Sequence, residues 1–185
     1  MSICEFIKAT LFNLGVEEIE VSYIGTRVKI KNTYETRQIA YSIWIEMSTR
    51  KIGLPIDLDN DVIKEIYDSW YKFFAITRDL LKEVPVYETH RAKAQDIILL
   101  TMRVLNDEIR VHLTKWQARF RRWYELELEN EKNSNISPQE IQKRYLVSNK
   151  ENYDLLISDL MRVNERIIEY KKVLEILIFN KTENS

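Results

Sequence analysis

The chain has 185 residues, 45% of them hydrophobic and 31% charged, with 28 basic against 29 acidic side chains and a formal net charge of −1. That length suits one domain with a core of its own, and the near-neutral balance excludes a protein coated all round in basic charge for nucleic acid. Cys4 is the only cysteine, which excludes an intramolecular disulfide and a cysteine-based zinc cluster.

The opening Met1-Ser2-Ile3-Cys4-Glu5-Phe6 lacks the basic flank and long apolar core of a signal peptide. Wholly apolar runs such as Ile97-Ile98-Leu99-Leu100 fall far short of the roughly 20 residues that span a bilayer. The expectation is a cytoplasmic protein without membrane insertion.

Ile3, Phe6, Ile7, Leu11 and Leu14 recur at helical steps, with Gly15 as a C-cap, and predict a short amphipathic helix. Ile19, Val21 and Tyr23 then alternate with Glu18, Glu20 and Ser22; after Gly25, Val28 and Ile30 alternate with Arg27, Lys29 and Lys31. That is a β-hairpin whose apolar face must lie on helices, because two strands alone are marginal. Residues 1–31 thus form an N-terminal unit of helix plus hairpin.

Residues 32–130 read as a helical core. Asn32 as N-cap with Glu35 at N3 predicts a helix carrying Tyr34, Tyr41, Trp44, Ile45 and Met47 and ending near Gly53 and Pro55. The apolar stripe from Val62 through Ile66, Trp70, Phe73 and Thr77 to Val84, stopped by Pro85, predicts the next. A further helix starts near Thr89 and buries Ile97, Ile98, Leu105 and Ile109; periodicity leaves open whether it continues unbroken to Trp116, Phe120 and Trp123. Trp44, Trp70, Trp116 and Trp123 each sit in an apolar stripe, which predicts burial.

After a polar loop, Asn130 to Ser137, the run Ser137-Pro138-Gln139-Glu140 combines a capping box with proline at N1. It opens a long C-terminal helix over 138–179, followed by a frayed tail at 180–185. Tyr153, Leu156, Leu160, Val163, Ile167, Tyr170, Leu174 and Leu177 alternate three- and four-residue steps without a slip. Such a heptad seam is the pattern of a coiled coil. It predicts an interface with another protein subunit or a second copy of this chain; the competing placement is antiparallel packing on the 114–130 helix. The fold class is mainly α: a multi-helix bundle with a small N-terminal hairpin and a long C-terminal helix.

Catalytic and metal signatures are weak. Asp57-Leu58-Asp59-Asn60-Asp61 resembles the opening of a calcium loop, but the sixth and twelfth positions hold Val62 and Asp68 where glycine and glutamate are required. An Asp or Asn capping the next helix explains the run instead. Glu108 and His112, four residues apart, share a helix face without completing a metal set. A helical ribonuclease of the HEPN type wants R-x4-6-H, and neither His90 nor His112 has an arginine five to seven residues before it, positions 105, 106 and 107 being Leu, Asn and Asp. With glycine only at 15, 25 and 53, no phosphate-cradling loop or nucleophile elbow is present in the sequence. No catalytic residue, metal or cofactor is assigned, and the expectation leans away from an enzyme.

The segment 110–131 is the most informative. Arg110, Lys115, Arg119, Arg121 and Arg122 interleave with Trp116, Phe120 and Trp123, and Glu125, Glu127, Glu129 and Glu131 follow. Cations early in a helix and carboxylates late oppose its dipole. An anion, a nucleic acid or a partner protein explains that order; so does pairing with neighbouring helices. Basic residues among aromatics also suit single-stranded nucleic acid, whose bases stack on rings.

Leu105-Asn106, Ile109-Arg110 and Leu113-Thr114-Lys115-Trp116 resemble a signature of small uncharacterised bacterial proteins, L-N-x-x-L-R-P-x-L-x-K-W-H. The stretch from Arg37 to Pro85, with Thr77-Arg78 near its end, is similar to the segment preceding it there. Val111 replaces the usual proline and Gln117 the usual histidine. The resemblance implies a bacterial accessory protein, associated with antiviral defence systems, and no chemistry. The functional expectation is a non-enzymatic interaction or scaffold subunit of a multiprotein system. The alternatives are a nucleic-acid-binding accessory protein using the 110–122 cluster and a divergent helical ribonuclease.

Overall fold

The computed structural model describes residues 18–85, 94–132, 135–148 and 150–179. The amphipathic segment Ile3–Leu14 with its Gly15 cap, the helix start near Thr89, His90 and the 180–185 tail lie outside the described residues.

Strands β1 (Glu18–Tyr23) and β2 (Thr26–Lys31) pair antiparallel, Glu18 opposite Lys31 and Tyr23 opposite Thr26. The two-residue turn places Ile24 at φ 50° and Gly25 at φ 71°, the twisted geometry that two-residue hairpin turns favour. Glycine adopts it freely, but a β-branched isoleucine is strained there. Ile19, Val21, Tyr23 and Ile30 face inward and are buried, and β1 packs on the last helix.

Helix α1 (Tyr34–Ser48) begins one residue later than Asn32 implied: Thr33 is the N-cap, its hydroxyl accepting from the Thr36 N–H at 3.1 Å. Its buried face is Thr36, Ala40, Ile43 and Met47, not the aromatic stripe expected. Tyr34 is 78% exposed and Tyr41 also faces solvent, while Trp44 and Ile45 are half-buried. A 3₁₀ turn, Lys51–Gly53, follows. A Cβ on Gly53 would run into the Met47 carbonyl, so the chain doubles back here only because that side chain is missing.

Helix α2 (Ile63–Lys82) buries Ile63, Ile66, Tyr67, Trp70, Phe73 and Thr77, as its stripe predicts. The acidic run before it does not cap it. Asp57 instead accepts from the N–H groups of Asp59 and Asn60, and Asp61 pairs with Lys51 at 2.6 Å. The first α2 amide, Ile63 N–H, donates to Gln142 Oε1 at 2.7 Å, and Gln142 returns a bond to the Asp61 carbonyl. A side chain from far along the sequence thus supplies the cap.

Helix α3 (Gln95–Arg103) runs through a π-helical segment, Val104–Ile109, into α4 (Arg110–Asn130) without interruption at Val111. The signature of the π segment is the Arg110 N–H bonded to the Leu105 carbonyl, five residues back. Val104, Glu108, His112, Trp116, Phe120 and Tyr124 are all buried at four-residue steps. Each such step drifts about 40° around an α-helix, and the wider turn offsets part of that drift.

Helix α5 (Pro138–Ser148) opens with the predicted capping box: the Ser137 N–H and hydroxyl both donate to Glu140 at 2.8 Å. Helix α6 (Lys150–Phe179) follows. The single helix expected over 138–179 is therefore two described segments, flanking Asn149, which is not described.

Helix α6 forms the spine of the core. Leu156, Leu160, Val163, Ile167, Tyr170, Leu174 and Leu177 are fully buried and Tyr153 half-buried, packed on α1, β1, α5 and the α3–α4 helix of the same chain. This corrects the seam's reading as a docking surface: the face is already covered. Nor is it narrow, because Val173 and Ile176 are buried beside it. Asn164 enters the seam because it holds the loop before α2, donating to the Leu54 carbonyl at 3.0 Å and accepting from the Ile56 N–H. Arg37 donates to the carbonyls of Leu177 and Ile178, where a cation suits the negative end of a helix.

Candidate functional site

Asp159 lies opposite Trp116, Arg162 opposite Glu108 and Tyr170 opposite Thr101. Helix α6 is therefore antiparallel to the α3–α4 helix, as the alternative placement held, but centred on 101–116 rather than on 114–130. That contact divides α4 into two faces with opposite electrostatics.

The inner face carries a closed polar network. His112 is fully buried; its Nδ1 is 2.8 Å from Asp159 Oδ2 and its Nε2 is 3.2 Å from the Tyr67 hydroxyl. A carboxylate only accepts, so Nδ1 donates to Asp159 and Tyr67 donates to Nε2. The Trp116 indole N–H adds a bond to Asp159 Oδ2 at 3.1 Å, and Arg162 holds Oδ1 through two nitrogens at 2.8 and 3.2 Å. Arg162 also bonds Glu108 at 3.0 Å, and Arg166 takes the other Glu108 oxygen at 2.6 Å.

Burial holds the His112 pKa below the usual imidazole value against the pull of Asp159, so the ring is neutral at pH 7. Burial pushes Asp159 upward, but the bonds from Arg162 and His112 outweigh it and leave the carboxyl below its ordinary range. The order carboxylate–imidazole–hydroxyl is one that activates a nucleophile elsewhere. Here Tyr67 is buried, and desolvation drives its hydroxyl pKa upward. The network holds α2, α4 and α6 together and presents no hydroxyl to a substrate.

The outer face is different. Of the five cations singled out by sequence, Lys115, Arg119 and Arg122 follow one another at steps of four and three and so share one exposed side of the helix. None of them has an ion-pair partner among the described residues; Lys115 lies 4.7 Å from the Trp116 ring. Val111 at 52% and Leu126 at 46% exposure flank them. The other two cations do not join this group. Arg121 bonds Asp68 of α2 at 2.7 Å, and Arg110 sits 5.1 Å over the Phe74 ring.

The aromatic half of the expected cluster is turned away. Trp116 and Phe120 are buried, and Trp123 is half-buried with its ring 4.5 Å from Tyr145. The buried rings of Trp116 and Phe120 offer no face on which bases would stack, which reduces the expected stacking platform to the partly open Trp123. Among the described residues no group of three or more His, Cys, Asp or Glu side chains is placed to hold a metal ion. Among the described residues no helix is long and apolar enough to cross a membrane.

Sequence reasoning missed Asp159, Arg162 and Arg166 as partners of the 108–112 pair. The usable signal was Glu108 and His112 one turn apart in an otherwise apolar stripe, since a buried carboxylate and imidazole demand partners. No protein family, curated protein or solved structure matches this chain.

Proposed function

We propose that this protein is a non-enzymatic interaction subunit that binds an acidic protein surface through the outer face of α4. The observation that carries this is the row Lys115, Arg119 and Arg122, three exposed cations without ion-pair partners among the described residues. Lys115 and Arg119 are a like-charge pair at i,i+4, which weakens a helix. An acidic partner relieves that cost. Exposed Val111 and Leu126 add apolar area beside the arginines, a composition suited to a protein interface. Nucleic acid fits less well, because the rings of Trp116 and Phe120 are buried and the row spans only about 10 Å of helix.

The test is co-expression with the products of neighbouring genes, followed by purification of the wild type and of a Lys115/Arg119/Arg122 triple-alanine variant. A partner retained by the wild type and lost by the variant, with circular dichroism unchanged, supports the reading. A parallel titration with a fluorescent single-stranded oligonucleotide at low salt gives the opposing outcome: tight, salt-steep binding abolished in the same variant would make nucleic acid the ligand.

A further inference from the structure

Three irregularities of the chain meet around one cavity, between the hairpin turn and the π segment. The cavity has a volume of about 150 Å³, and its lining includes Tyr23, Ile24, Thr26, Arg103, Asp107 and Glu108. Ile24 is the turn residue in the left-handed region. Arg103 immediately precedes the π segment and Asp107 lies within it, and helical irregularities of that kind concentrate at functional sites. Tyr23 is only 5% exposed, and its hydroxyl is buried without a hydrogen-bond partner. Buried hydroxyls are rarely left so, and each exception calls for an explanation.

The charges around the cavity are specific. Glu108 is neutralised from behind, one arginine on each oxygen. Arg103 and Asp107 are exposed, four residues apart on the same wall, and neither has an ion-pair partner among the described residues. The wall thus presents one unpaired cation and one unpaired anion, with apolar surface from Ile24 and Val28 beside them. A volume of this size is several times the roughly 30 Å³ that one water occupies in the liquid. It is well below the ~300 Å³ or more of pockets that take drug-sized ligands.

We propose that this cavity binds a small zwitterion of the free α-amino-acid class, its carboxylate on Arg103 and its ammonium on Asp107. A singly charged ion leaves one of the two wall charges unmatched, and a nucleotide is too large. The site is separate from the outer face of α4, so either assignment stands or falls without the other.

The experiment is thermal melting and calorimetric titration of the intact protein with glycine, alanine, serine, glutamate and lysine as probes. Acetate and methylammonium serve as single-charge controls. The expected result is a saturable rise in Tm with at least one amino acid and none with the controls. Arg103→Gln and Asp107→Asn each weaken that binding by about ten-fold, the loss of one hydrogen bond to a charged group, and the Lys115/Arg119/Arg122 triple variant leaves it unchanged. Both single changes are mild and lie at exposed side chains, so the variants fold. A flat response to every amino acid overturns the proposal, as does an equal response to acetate or binding indifferent to both substitutions.

Discussion

The two faces of α4 carry similar chemistry under opposite conditions. Inward, Glu108 at the end of the π segment and His112 are matched atom by atom with Arg162, Arg166, Asp159 and Tyr67. Outward, Lys115, Arg119 and Arg122 have solvent and no ion-pair partner among the described residues. A buried charge left unmatched costs several kcal/mol, whereas an exposed one costs a few tenths. Only the outer face can hold charge in reserve for another molecule. Charge inside the fold reports on stability; charge outside it reports on association.

The strongest way to probe the inner side is to open a hole beside it. Leu160 is fully buried one residue beyond Asp159, and Leu160→Ala is expected to cost about 3 kcal/mol in urea denaturation. A loss below 1 kcal/mol would mean that the seam is not core. Asp159→Ala removes the acceptor of His112, Trp116 and Arg162 together. The expected loss is about 2 kcal/mol, below the ~3–5 kcal/mol of a fully buried broken pair, because Arg162 retains access to solvent.

Acidification attacks the same network more gently. The His112 pKa is lower folded than unfolded, so its contribution is complete above the unfolded value near 6.5 and is lost as pH falls below it. Asp159 is depressed as well, so its contribution is complete above its ordinary value near 3.8 and disappears at still lower pH. The urea midpoint is expected to fall first as pH drops below about 6.5 and again below about 3.8, and His112→Asn is expected to remove the first stage. A midpoint that rises on acidification would contradict the neutral assignment of His112. The smallest effect belongs to the outer face: alanine at Lys115, Arg119 and Arg122 is expected to shift stability by no more than about 0.5 kcal/mol per site. The direction is toward greater stability, because a like-charge pair is removed.

What could be read in advance follows from what each signal measures. The α2 stripe, the Ser137 capping box and the alternation in the hairpin are local patterns, and the structure reproduces them. The face of α1 was hidden because two of its four buried residues, Thr36 and Ala40, are polar or small, while conspicuous Tyr34 and Tyr41 are exposed. The α6 seam was legible as a buried face, but periodicity does not say what buries it, and its own chain does. Burial of the tryptophans held fully for Trp70 and Trp116 and only partly for Trp44 and Trp123. At the site, composition marked the cations of α4, yet the split into three outward and two inter-helix positions depends on where α2 lies. The His112–Asp159 bond joins residues in different helices, and no spacing rule reaches that far.

The π segment buffers α4 against a change of chain length. A residue gained or lost in an ordinary α-helix turns everything after it by about 100°, whereas the wide turn over Val104–Ile109 holds one residue more than an α turn needs. Deleting a single residue within 104–109 lets the stretch close as ordinary α-helix and leaves His112 toward Asp159 and the three cations outward. One codon lost there is absorbed, while one lost further along α4 re-indexes every residue beyond it, so the helix has a single point at which its length can drift without exchanging its faces.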